Sequence, residues 1–119
     1  MSDYLLSLDV GTTSVKCFIY NTKGIPIFNS GRPVTILSPE PGASEIDPAE
    51  LWQSVREAVG DCMTYAKLKG IMIRGMGMSL QRNTGTFWNQ KSFKVLHNLV
   101  TWQDVRCASM VEQINNSIR

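Results

Sequence analysis

The sequence predicts an α/β domain on a mixed sheet, with a three-stranded meander followed by parallel strands. Three observations carry that prediction. Apolar residues recur through three short runs before Thr35, with tight turns between them. A helix with clear start and stop signals spans Asp47 to Lys69. A mostly apolar run, Ile71 to Leu80, follows that helix directly, as a buried parallel strand would.

The first strand is read from Tyr4, Leu5, Leu6 and Leu8, and the second from Val15, Cys17, Phe18 and Ile19. Between them lies Asp9-Val-Gly11-Thr12-Thr13-Ser14, a polar turn. Gly11 permits positive φ and close backbone approach. The hydroxyls of Thr12, Thr13 and Ser14 stand beside successive backbone amides, a set suited to phosphate. Asp9, at the end of a buried strand, suits a hydrated Mg²⁺. An ordinary hairpin whose Asp and Thr satisfy the turn reads equally well from these six residues alone.

Asn21-Thr-Lys-Gly24 is the next turn. Strand three then starts at Ile25, with Pro26 and Pro33 marking it as an edge strand. Ser38 to Gly42 is a loop. Glu45 opens the helical stretch: Asp47 caps it, Pro48 takes the first helical position, and Glu50 completes the start signal. Leu51, Val55, Ala58, Val59, Cys62 and Ala66 form one apolar face, and Gly70 stops the helix. Trp52 is assigned to core or domain-edge packing. After the Ile71 strand, polar residues Gln81 to Thr84 sit at its carboxyl end, where open α/β sheets bind ligands. Short strands are expected at Gly85–Trp88, from about Lys94 to Leu96, and at Leu99–Trp102. A last helix opens at Gln103 or Asp104, with a partial apolar face of Val105, Ala108, Met110, Val111 and Ile114 that nothing later in the chain covers.

Composition bounds the function classes. The 119 residues are 43% hydrophobic and 18% charged, with net charge +2 and no basic run. Nothing points to nucleic acid or an anionic membrane, and no run is long enough for a membrane span. The N-terminus lacks the basic and long apolar regions of a secretory signal, so a cytoplasmic location is expected. Cys17, Cys62 and Cys107 are odd in number and far apart, and His97 is the single histidine. This argues for small core residues in a reducing compartment rather than zinc ligands.

Four motifs, taken together, resemble a known family. Asp9-Val-Gly-Thr-Thr-Ser, Glu45-Ile-Asp-Pro with Trp52, Gly77-Met-Ser-Leu-Gln81-Arg82, and His97-Asn-x-x-x-Trp102-Gln103-Asp104-x-Arg106 occur in the order found in FGGY carbohydrate kinases. Gln81-Arg82, the Trp102 run and the aromatic pair Phe87-Trp88 are similar to glycerol kinases. The stretch His97 to Ser117 resembles the glycerol kinase 5 group of animals.

The resemblance implies the ribonuclease-H-like domain of the actin–hexokinase superfamily, here incomplete. Residues 1–119 would be the N-terminal part of the first of two such domains, from a truncated isoform, a partial gene model or an excised fragment. It implies ATP-dependent phosphorylation of glycerol to glycerol 3-phosphate in the full-length protein. Gly11, Thr12, Thr13 and Ser14 would hold ATP phosphates, and Asp9 would lie near Mg²⁺. Lys16 would reach the transferring phosphoryl group where glycerol kinases often carry arginine. Arg82 and Asn83 would meet glycerol hydroxyls, and Trp102 would wall the glycerol carbons. Asn83 stands where those enzymes usually have glutamate, which leaves another FGGY sugar or polyol kinase open. The family's catalytic aspartate lies later in its chain, so no residue here is the base; Asp47 and Asp104 are poor substitutes. The fragment alone is expected to be inactive, and a non-catalytic binding module is the alternative of a different class. Homo-oligomer formation of the full-length protein stays open. Within this reading, Arg82 as a surface ion-pair residue and Trp102 as plain core are the competing structural roles.

Overall fold

The computed structural model describes residues 2–118. They form two compact units: residues up to Thr35 together with Ala49–Gln81, and Ile36–Pro48 together with residues from Arg82 onward.

The first unit is a four-stranded mixed sheet and a long helix. β1 (Asp3–Val10) pairs antiparallel with β2 (Ser14–Asn21), which pairs antiparallel with β3 (Pro26–Pro33). This is the expected meander, and β3 is its edge strand, which both prolines tolerate. Asn21 shapes the second turn: its side-chain oxygen accepts from the amides of Lys23 and Ile25, both at 3.0 Å, and Gly24 has φ +74°. Alternation puts Leu6, Leu8 and Val10 of β1 on one face with Val15, Cys17 and Ile19 of β2, and all six are buried.

α1 is the helix Pro48–Lys69, ended by Gly70 at φ +64°, as its punctuation predicts. Its buried residues are Ser54, Ala58, Cys62 and Ala66. Small side chains let the helix come close to the sheet. The Cys62 thiol donates to the Cys17 carbonyl at 3.5 Å, and the Ser54 hydroxyl to that of Pro33 at 3.5 Å. Burial, and then the Cys62 thiol beside it, push Cys17 up to about 12, so this thiol stays protonated and unreactive. Over β3, the Tyr65 and Phe28 rings stack at 4.2 Å between centroids. There Arg32 meets Glu57 and Asp61, each at 2.8 Å. Trp52, assigned to packing, is exposed instead: it lies off the stripe that faces the sheet.

β5 (Met72–Leu80) runs parallel to β1, with Arg74 as an extra residue where the register shifts between Tyr4 and Leu5. The expectation that it is buried fails. β5 is the other edge of the sheet, and Met76, Met78 and Leu80 are more than half exposed. Their register partners Leu6, Leu8 and Val10 share their face, but the helix contacts named above fall on β2 and β3. The chain should therefore enhance the fluorescence of a hydrophobic dye at neutral pH. Replacing Met76 and Met78 together by Gln should cut the signal by about half or more. An unchanged signal would locate the dye elsewhere.

The second unit is smaller. β4 (Glu45–Ile46) pairs antiparallel with β6 (Leu99–Val100), Glu45 opposite Val100. Glu45 was expected to lead into the helix. Its amide and carbonyl instead bond Leu37, at 2.9 and 2.8 Å, and it lies opposite Val100, a partner 55 positions on that local pattern does not reveal. Gly85–Trp88 and Lys94–Leu96 do not form strands but single bridges, Gly85 to Val100 and Trp88 to Val95. Asn89 organises the turn between them by accepting from the amides of Lys91 and Ser92, both at 2.9 Å. α2 (Ala108–Ser117) begins four residues beyond Asp104, which is engaged elsewhere, and leaves Val105 outside the helix. Met110, Val111 and Ile114 are exposed, as is Cys107, which corrects its core assignment.

Candidate active site

The hairpin between β1 and β2 is held from within and from beside. The Gly11 amide donates to the Ser14 carbonyl at 3.0 Å, and a Cβ added at Gly11 would lie 3.0 Å from that same oxygen. Glycine is required here for closeness. Positive φ plays no part, since among the described glycines only Gly24, Gly42 and Gly70 adopt it. The Gly11 amide is spent inside the turn, so an incoming anion would have to use other groups. Thr13 is exposed; Thr12 and Ser14 are half-buried. The Thr13 carbonyl accepts from Val34 at 2.9 Å. Gln81 fixes the other side: its amide donates to the Val10 carbonyl at 2.9 Å and its side chain to that of Gly11 at 3.2 Å. Reading the sequence alone places Gln81 only in a motif; the structure makes it the brace of the turn.

Asp9 and Lys16 are cross-strand partners on the face opposite the core, and Ser79 of β5 flanks Asp9. Asp9 stands near the end of β1, a central strand whose other face is buried, and is itself exposed. Among the described residues no three His, Cys, Asp or Glu side chains gather into a metal cage. A magnesium ion held by one carboxylate, water and substrate phosphates needs no cage. Asp9, a single exposed carboxylate beside a phosphate-sized turn, fits that mode.

Arg82, Asn83 and Trp102 line one open cavity of about 430 Å³ in the second unit. Trp102 is 56% exposed, so it does not belong to the core of the described residues. No carboxylate pairs with Arg82 among the described residues, so the ion-pair role is not taken up either. Asn83 has φ +54°, a left-handed conformation that Asn tolerates better than most residues. The cavity thus offers a cation, an amide and an apolar ring to a small ligand.

Beside Trp102 lies a network that sequence reading missed. The Arg106 guanidinium bonds Asp104 and Glu45, each at 2.8 Å, and Glu40 at 3.0 Å. Asp104 accepts from the Ser44 amide at 2.9 Å, and Glu45 from the Asn98 side chain at 3.0 Å. His97 bonds the Asn98 carbonyl through Nδ1 at 2.9 Å, as a loop hydrogen-bonding residue does. Arg106, then the Ser44 amide, hold Asp104 well below the usual carboxylate range. Asn98, then Arg106, hold Glu45 down as well. Folded-state values below the unfolded ones mean that both groups stabilise above the ordinary range and lose that contribution as pH falls through it. The thermal midpoint, followed by near-ultraviolet circular dichroism, should drop steeply as pH falls below about 4. A midpoint flat from pH 6 to pH 3 would contradict this.

Comparison with known proteins decides the family. A model of the N-terminal domain of the FGGY family of carbohydrate kinases matches residues 4–119. The chain belongs to this FGGY family. The FGGY chain is 37% identical over 117 residues to glycerol kinase 5 of Mus musculus, covering 98% of its own length and 22% of the relative. To the glycerol kinase of Beutenbergia cavernae it is 32% identical, covering 98% and 23%. The crystal structure of Plasmodium falciparum glycerol kinase with ADP superposes with a TM-score of 0.89 at 25% identity, over 95% of this chain and 23% of that one. Gluconate kinase from Lactobacillus acidophilus shares the fold, with a TM-score of 0.86 at 24% identity over 98% and 23%. The FGGY chain therefore spans under a quarter of the length of the curated relatives named here. The expected α/β fold of the actin–hexokinase superfamily holds. Among the described residues no helix is long and apolar enough to cross a membrane.

Proposed function

We propose that these residues are the N-terminal part of an ATP-dependent glycerol kinase and do not turn over on their own. The observation that carries the reading is the open cavity of Arg82, Asn83 and Trp102 in a member of this family. Glycerol has hydroxyls on every carbon and a small apolar backbone. A guanidinium that donates, an amide that can do both and an indole wall suit both parts.

In this reading the hairpin Gly11 to Ser14 faces the ATP phosphates, with the Thr and Ser hydroxyls as donors. Asp9 would hold Mg²⁺ through water, and the ion when bound neutralises charge between the phosphates. Lys16, on the exposed face beside Asp9, would meet the γ-phosphoryl as its charge redistributes. One terminal glycerol hydroxyl attacks that phosphorus, the bond to the β-phosphate oxygen breaks, and glycerol 3-phosphate and ADP result. The proton of the attacking hydroxyl needs a base that no residue here supplies. Asp104 is saturated by Arg106 and the Ser44 amide, which supports leaving it out of that role.

Asn83 favours a second reading. An amide accepts without the charge-assisted bond a carboxylate makes, so a different polyol or a sugar is the competing substrate. The deciding experiment is a coupled ADP-release assay with ATP·Mg²⁺, on the 119-residue chain and on a longer protein containing it. Glycerol-dependent turnover in the long form only is the expected result. A folded long form active on another polyol but silent with glycerol would transfer the assignment. Turnover by the short chain would refute the statement that the base is missing.

A further inference from the structure

We infer that Glu45 is a positioning residue for the Trp102 wall of this cavity, acting through Arg106 and Asp104. The inference rests on the polyol reading of the cavity and adds a residue to it. Trp102 sits on a turn of which nearly every neighbour is tied back to the Gly42–Glu45 segment. The Thr101 amide donates to the Ser44 carbonyl at 3.0 Å, and the Thr101 and Ser44 hydroxyls share a hydrogen bond of 2.6 Å. The Gln103 amide returns to the Thr101 hydroxyl at 3.3 Å, the Asp104 amide to the Thr101 carbonyl at 3.1 Å, and the Val105 amide to the Gly42 carbonyl at 2.9 Å. Gly42, at φ +81°, lets Val105 pack where a Cβ would come within 3.1 Å of it.

The Glu45 and Asp104 side chains are only 5% and 6% exposed, and both reach Arg106. Burying two carboxylates is unfavourable unless each is fully paired, and an apolar pair could fill comparable space. What the ionic version adds is direction. A planar guanidinium bonded to three carboxylates admits one orientation, and Asp104 also holds the Ser44 amide. The turn is thereby fixed on both sides of Trp102 while the indole itself stays free to meet a ligand. Glu45 is not among the residues that line the cavity, so its effect passes through the turn.

Two measurements test this. In the 119-residue chain with Trp52→Phe and Trp88→Phe, both originally exposed, Trp102 is the sole tryptophan. Glu45→Ala should raise its acrylamide quenching about twofold or more and lower its anisotropy, while Glu45→Gln, whose single oxygen still accepts from Arg106 and whose amide nitrogen meets Asn98 only if the Asn98 amide turns over, restores part of the difference. In a longer protein carrying this sequence, Glu45→Ala should raise KM for glycerol about tenfold, with kcat and KM for ATP within about twofold, and Glu45→Gln should lie between. Unchanged quenching in Glu45→Ala would overturn the inference. So would a loosened indole with KM for glycerol unaltered, or a kcat loss equal to the KM change. If the unsubstituted long protein ignores glycerol, the polyol reading fails, and the quenching series still decides whether Glu45 fixes Trp102.

Discussion

Ile19→Ala should cost roughly 2–5 kcal/mol of folding stability, the largest structural effect expected in this chain. Ile19 is fully buried at the centre of β2, between β1 and β3 and under α1. Its truncation removes apolar burial and leaves a cavity that paired strands cannot close. Domains of this size are stable by about 5–15 kcal/mol, so about a third of the margin would go at the middle of both ranges. Urea unfolding should show a lower midpoint at nearly constant slope. Ile25→Ala is the control. Ile25 is 53% exposed just before β3, and its truncation should stay within about 0.5 kcal/mol. Comparable losses at both positions would mean that the core lies elsewhere.

Lys16→Ala should lower kcat about 10²- to 10³-fold in a longer kinase carrying this sequence, with KM for glycerol nearly constant. The charge lies on the outer face of the hairpin, beside Asp9, and has no place in the core. Its removal should barely change stability, since a cross-strand charge pair contributes only about 0.2–1 kcal/mol. A large catalytic loss with an unchanged unfolding midpoint would therefore separate chemistry from folding. Lys16→Arg keeps the charge and adds a planar fork, and it should retain kcat within about tenfold. Activity of Lys16→Ala within about twofold of the unsubstituted enzyme would remove Lys16 from the phosphoryl site.

What could be read from the sequence was whatever local chemistry determines. The meander follows from alternation, because each strand buries one face. α1 ends at Lys69, as its stop signal predicts, since Gly70 alone can take the left-handed turn cheaply. Arg82, Asn83 and Trp102 line one cavity, as their motifs suggest. Trp52 aside, which lies off the buried stripe of α1, the main failures are non-local. Apolar identity at Met76 and Met78 says what a face prefers, and says nothing about whether a helix lies over it. β4 forms where Leu99 and Val100 return on one side of it and Leu37 bridges Glu45 on the other. The late start of α2 has the same origin: Asp104 reads either as the opening of a helix or as a residue that orients a neighbouring loop, and its bonds to Ser44 and Arg106 are of the second kind. The Glu45–Arg106 pair joins residues 61 positions apart, and only the fold brings them to 2.8 Å.

The position of β5 also bears on how chains behave toward one another. A nine-residue edge strand presents a row of unpaired amides and carbonyls along its outer side, and Arg74 is its only charged residue. Such an edge can extend its ladder with an identical strand from a second chain, adding backbone hydrogen bonds and methionine contacts together. Overall charge opposes this weakly, since +2 is spread over 119 residues. The solubility of the isolated chain should therefore respond to this strand edge more than to its composition. A single lysine at Met76, in the middle of that edge, should raise it further than several charges added elsewhere.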